Sequence, residues 1–241
     1  MAIIDSSFTD KLPKPLISYA GIDAITHAVE AYVSVAQNDF TSPYALKALT
    51  LLFNNLPDSY HRNSIPAREA VHHGASLAGL AFSNSFLGIC HSLSHQIGSH
   101  FHLPHGLCNA ILLPYVIEYN SSLHPTRMGI YPTYNSPSAM SHYAAMARHL
   151  GCDGTNDSEL TRQLVQKFQD LCTDLEVPLS FRGAGISEEK FLQDLRTMAE
   201  EAFDDQCTGA NPRFPLVREL EEVLKKSFYG GAIEIEEVSA R

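Results

Sequence analysis

The chain has 241 residues, 44% hydrophobic and 18% charged, the composition of a folded globular protein with enough apolar surface for a substantial core. A formal net charge of −10 gives it no electrostatic reason to bind DNA, RNA or an anionic membrane, and no basic run of five or more residues offsets that. No apolar stretch approaches the roughly 20 residues of a membrane span, and the N-terminal MAIIDSSFTDKLPKP, with Asp5 and Asp10, lacks the apolar run of a secretory leader.

Taken in chain order, the sequence reads as helices separated by short breaks. Residues 1–13 are expected to be an extended lead-in, and 14–20 a brief helical turn. Gly21 is expected to open a helix over 21–34. Ser42-Pro43 is a start signal for a helix of 43–56, with Leu46, Leu49, Phe53 and Leu56 at helical spacing; Pro57 is expected to end or kink it, with room for a further turn or two beyond. Pro66 starts an Ala- and Gly-rich helix over 66–86, whose small residues favour close central packing. Gly88 marks the break before a helix of 89–101, and Pro104 opens one over 105–120.

Residues 121–139 hold three prolines and several Ser and Asn, and read as a long loop. Helices follow at 140–151, 157–176, 187–203 and 216–227, with a tail over 229–241 that is strand-like or frayed. No strand alternation recurs. The predicted fold class is therefore all-α, a bundle-like helical domain over 1–241. No G-x-G-x-x-G and no G-x-x-x-x-G-K-[ST] is present, so the chain has no dinucleotide-binding fold of its own.

Five cysteines, Cys90, Cys108, Cys152, Cys172 and Cys207, form an odd set with no C-x-x-C spacing. Free thiols and a reducing, cytoplasmic location are expected, with no zinc–thiolate site.

The twelve histidines carry more information, five of them within HSLSHQIGSHFHLPH. His91 and His95 are four apart and share a helix face, as do Asp23 and His27 in DAITH. Pairs at this spacing on facing helices are how bundles build metal sites in their cores. Pro104 then returns His105 towards them. Imidazoles with one carboxylate suit Fe(II), Zn(II), Mn(II) or Ni(II) and disfavour Ca(II) or Mg(II), which prefer oxygen shells. The ordinary reading of a histidine is a core or surface residue. It is retained for His61, His72, His73, His124, His142 and His149, which have no partner pattern, while His100 and His102 are placed in the turn near the site. An all-helical phosphohydrolase is disfavoured because no His-Asp dipeptide occurs, and a zinc protease because H-E-x-x-H is absent.

The strings GIDAITHAVEAYVS and GICHSLSHQIGSHFHLPHGLCNAILLPYVIEYN resemble the two signature regions of iron-containing (group III) alcohol dehydrogenases. FDDQCTGANPRFP and LKKSFYGG are similar to the alcohol dehydrogenase half of bifunctional aldehyde–alcohol dehydrogenases. The resemblance covers nearly the whole chain. It implies metal ligands at Asp23, His27, His91 and His105, and an additional active-site histidine at His95. It implies the helical C-terminal domain of a two-domain fold whose N-terminal α/β domain binds NAD, so the chain is expected to be a fragment with little activity of its own. It further implies Fe(II), with Zn(II) as the alternative, acting as a Lewis acid in hydride transfer between a small alcohol or aldehyde, ethanol and acetaldehyde included, and the nicotinamide. Homo-oligomers or filaments are the implied assembly. Phe40, apolar within QNDFTSP, is expected either as an exposed contact or tucked onto a neighbouring helix.

Overall fold

Proline and small residues decide where the helices start and how closely they pack. The computed structural model describes residues 3–130 and 137–237. Among them run nine α-helices: α1 Lys14–Val33, α2 Ser42–Arg62, α3 Ile65–Ser85, α4 Ile89–Phe101, α5 His105–Asn120, α6 Ala139–His149, α7 Asp157–Asp174, α8 Glu188–Phe203 and α9 Val217–Tyr229. The described residues form no strand, only an isolated bridge between Met128 and Arg213. The all-helical expectation holds, and no helix is long and apolar enough to cross a membrane.

Four boundaries differ from expectation, each for a physical reason. The lead-in is not wholly extended: Ser6–Thr9 form a 3-10 turn, capped by Asp5 Oδ1 accepting from the Ser7 amide at 2.9 Å. Gly21 does not open a helix but lies inside α1, which starts at Lys14 after Pro13. It is a glycine of close approach, because a Cβ there would stand 2.3 Å from Leu56 Cδ1 of α2. Pro57 does not end α2 at 56: the further turn expected beyond it runs on in the same helix to Arg62. A proline inside a helix costs about 3 kcal/mol. Burial of Tyr60, whose hydroxyl donates to Glu176 at 3.1 Å, offsets that by holding the last turn in place. The tail is neither strand nor frayed over 231–237: Ile235 is buried, the Leu123 amide donates to Glu236 at 2.8 Å and the Glu234 amide to Glu118 at 2.8 Å. Residues 121–130 are irregular, as expected of the loop, whose segment 131–136 lies outside the described residues, as does 238–241.

Helix α5 is the axis of the molecule. Every residue of it is buried except His105 and Glu118. It packs against α1, α4, α7 and α9, while α1 also packs on α2 and α3. Burying each of Ile111, Leu112, Val116 and Ile117 stabilises the fold by about 1.5–3 kcal/mol. One apolar cluster runs from Ile22 of α1 to Phe228 of α9. The cysteines are free, and all but Cys152 are buried. Burial pushes the thiols of Cys108, Cys172 and Cys207 up to about 12, so they behave as small apolar groups rather than nucleophiles.

Candidate metal centre

Helices α1, α4 and α5 meet where the histidine pattern pointed. On α1, Asp23, His27 and Glu30 follow one another at intervals of four and three residues and so share a stripe. On α4, His91 is fully buried near the N-terminus. That helix ends at Phe101, followed by His102 held in the left-handed region at φ 54°, and Pro104 turns the chain so that His105 is the first residue of α5.

Three of the four candidate ligands converge. Asp23 Oδ1 lies 3.3 Å from His105 Nε2 and 3.8 Å from His91 Nε2. Two ligand atoms sharing one ion at bonds of about 2.1 Å sit about 3.4 Å apart in a tetrahedral arrangement, so the spacing suits one cation. His27 lies beside this trio rather than within it. Its Nδ1 is 3.6 Å from Asp23 Oδ2, its ring stacks on Phe82 at 4.5 Å, and its centroid is 4.4 Å from that of His91.

The imidazoles are oriented by partners that sequence reading did not single out. Glu30, buried on α1, accepts from His91 Nδ1 at 2.6 Å, and also from the amides of Gly88 at 3.0 Å and Cys90 at 2.7 Å. One carboxylate thus caps the first turn of α4 and fixes the proton of His91 on Nδ1, leaving the Nε2 lone pair for a cation. Ser94 Oγ donates to the His105 carbonyl at 3.1 Å and accepts from His105 Nδ1 at 3.1 Å, which again leaves Nε2 bare. Asn109, buried one turn after His105, donates to Asp23 Oδ1 at 2.6 Å. The signals for both residues were in the sequence: Glu30 lies three after His27 and Asn109 four after His105, each on its ligand's own face.

His95 sits one turn beyond His91, its ring stacked on that of His105 at 5.3 Å. Its Nδ1 donates to Asp205 Oδ2 at 2.8 Å, and the Cys207 amide donates to Asp205 Oδ1 at 2.8 Å. Burial raises the Asp205 carboxyl, but the donors from Cys207 and His95 outweigh it and hold it below the usual carboxylate value. The pair is separated by 110 residues, so no local spacing announces it. His95, Asp205 and Cys207 also place ligand-type atoms within 4.8 Å of one another. His100 turns away to α8, bonding Glu201 at 2.9 Å.

Burial holds His27 down to about 4, with neighbouring His91 adding to the effect, and holds His105 below its ordinary value. Unfolded imidazoles take protons near pH 6.5, so between pH 6.5 and about 4 the unfolded metal-free chain binds more protons than the folded one. Stability is present above that window and is lost as pH falls through it. The urea midpoint of metal-stripped protein should drop between pH 7.5 and pH 5, and an unchanged midpoint would contradict the burial argument. The same low basicity keeps both imidazoles neutral at neutral pH, the form that binds metal.

These donors fit a divalent cation: one carboxylate, two imidazoles with bare Nε2 atoms, and a third imidazole alongside. The family model for the Fe-containing alcohol dehydrogenase family, C-terminal, matches residues 17–228. The bifunctional aldehyde-alcohol dehydrogenase of Escherichia coli (strain K12) is 46% identical over 234 residues, covering 95% of this chain and 26% of that protein. The NADPH-dependent butanol dehydrogenase of Clostridium saccharobutylicum is 35% identical, covering 97% of this chain and 56% of that protein. Among solved structures, the iron-containing alcohol dehydrogenase of Thermococcus thioreducens superposes with a TM-score of 0.82 at 33% identity, covering 95% of this chain and 55% of that one. The chain thus spans between about a quarter and about half the length of these relatives. The match over 17–228 places it: the chain belongs to the Fe-containing alcohol dehydrogenase family, of which it carries the C-terminal, helical part.

Proposed function

We propose that this chain forms the metal-holding wall of an alcohol dehydrogenase active site that interconverts short-chain primary alcohols and aldehydes. The carrying observation is the convergence of Asp23 Oδ1, His91 Nε2 and His105 Nε2 from three helices. Asp23, His91 and His105, with His27 alongside, would hold Fe(II), with Zn(II) as the alternative. When bound, such an ion supplies Lewis acidity towards an alcohol or carbonyl oxygen. The relatives' names support the reading, since they include an aldehyde-alcohol dehydrogenase and a butanol dehydrogenase.

The remaining work falls to the chain's own residues. Glu30 and Ser94 hold the protons of His91 and His105 away from the ligand atoms. His95 donates Nδ1–H to Asp205 and so keeps Nε2 as the atom that takes the substrate hydroxyl proton towards solvent. NAD is assigned to a domain outside this chain, since the described residues offer no strand–turn–helix cradle for its phosphates. The chain alone should therefore turn over no ethanol with NAD⁺. Location in the cytoplasm and self-assembly belong to the same proposal; Phe40 stands 84% exposed rather than tucked onto a helix, as a contact between copies would require.

The test is metal content and affinity. Replacing His91 and His105 together by Ala should abolish stoichiometric Fe(II) or Zn(II) uptake and weaken affinity at least about 100-fold, since two direct ligands are lost. Undiminished uptake by the double variant would end the metal-centre reading.

A further inference from the structure

The side chain that touches most of the candidate ligands is not itself one of them. Asn109 is fully buried on α5, one turn beyond His105. Its carboxamide nitrogen lies 2.6 Å from Asp23 Oδ1, 3.1 Å from His105 Nε2 and 3.3 Å from His91 Nε2. From the other side, the Cys90 thiol donates to Asn109 Oδ1 at 3.6 Å, which fixes the amide with its NH₂ facing the ligands.

The proton count is informative. His91 commits its proton to Glu30 and His105 commits its own to Ser94, so both Nε2 atoms are acceptors. An NH₂ with two protons therefore faces three acceptors, the same three that a cation requires. A lone pair occupied by a proton cannot bind an ion. The amide also presents the positive end of its dipole where a divalent charge would sit, so amide and ion exclude each other from these lone pairs.

We propose that Asn109 is an internal stand-in for the cation: its carboxamide shares its two protons among the three ligand lone pairs when metal is absent, competes with the metal for them, and so sets how tightly the centre holds its ion. This rests on the metal-centre reading above. In the metal-free protein the amide keeps a half-buried carboxylate and two unprotonated imidazole nitrogens assembled close to one another. On loading it must give up at least the two histidines. If the amide-engaged form is about 90% populated, apparent affinity is reduced about tenfold relative to a site without it.

The stand-in role makes two effects of opposite sign. In Asn109→Ala, metal-stripped protein should melt lower, because the lone pairs lose their donor. Affinity for Zn(II) should nevertheless rise about tenfold, because nothing competes. A residue that merely braces Asp23 would lower both. The experiment uses the full chain, with Zn(II) affinity measured by competition against a chromophoric chelator and thermal unfolding recorded with and without Zn(II). Asn109→Ser, whose hydroxyl is too short to reach the histidines, is the second variant and should shift both readouts the same way.

Tighter Zn(II) binding with a lower melting temperature of the stripped protein supports the proposal. Unchanged or weaker binding overturns it, as does failure of both variants to fold under saturating Zn(II), since that would mean the loaded fold also depends on Asn109. Absence of Zn(II) uptake by the wild-type chain would instead be a failure of the metal-centre reading itself, which separates the two.

Discussion

Gly106→Ala is expected to destabilise the chain by about 3 kcal/mol or more and to disperse the candidate metal ligands with it. A Cβ at Gly106 would lie 2.1 Å from the Tyr19 carbonyl oxygen, 2.6 Å from its carbonyl carbon and 3.1 Å from its Cα. All three are backbone atoms of α1, so no rotamer change can relieve the overlap and the two helices must separate. Gly106 adjoins His105, and Tyr19 lies one turn before Asp23, so the separation acts directly on the 3.3 Å contact between His105 Nε2 and Asp23 Oδ1. Thermal unfolding should show a fall of many degrees, and Zn(II) affinity should weaken at least about tenfold by loss of preorganised geometry. Gly79 of α3 is the control, because a Cβ there meets nothing within 4 Å. Gly79→Ala should raise stability by about 0.5–1 kcal/mol through helix propensity. A Gly106→Ala protein as stable as wild type would show that the α1–α5 approach is not tight.

The same helix contact explains what could and could not be seen in the sequence. Helices α4 and α5 were legible to the residue, because Gly88, Pro104 and the apolar run of α5 punctuate them locally. Gly21 misled, and Pro57 in part, for a common reason. Each is read as a break by local propensity, yet each is overridden by a tertiary contact, with Leu56 packing over Gly21 and Tyr60 burying the turn after Pro57. The candidate site divides in the same way. Asp23 stands four before His27 and His91 four before His95, and His105 follows Pro104, all of which the sequence displays. The pairing of His95 with Asp205 joins residues 110 apart, and no periodicity can carry it. Glu30 lay between the two cases: on the right stripe, but indistinguishable from an ordinary charged residue until its burial and its three donors were visible.

Those donors make Glu30 the second large effect. It is only 3% exposed, on α1, yet everything it binds belongs to α4 or the residue leading into it. Replacement by Ala removes the acceptor of the Gly88 and Cys90 amides and of His91 Nδ1 at once. Breaking such a buried set costs about 3–5 kcal/mol, because the remaining donors stay buried without partners. Glu30→Gln is the sharper probe, since it keeps the shape and exchanges one acceptor oxygen for a donor. Only one oxygen remains for three N–H groups. Gly88 and His91 share Oε2 and Cys90 takes Oε1, so if Gln puts its oxygen on the Cys90 amide, its NH₂ faces both the Gly88 amide and the Nδ1–H of His91, and the imidazole relieves its part of the conflict by moving its proton to Nε2. That atom then points a proton at Asp23 and His105 and no longer serves a cation. Zn(II) affinity should fall about 10–100-fold with a stability loss of only about 1–3 kcal/mol. The ring ¹⁵N shifts of His91 should report the tautomer change directly. Wild-type affinity in Glu30→Gln, with the proton still on Nδ1, would mean that something other than this carboxylate orients His91.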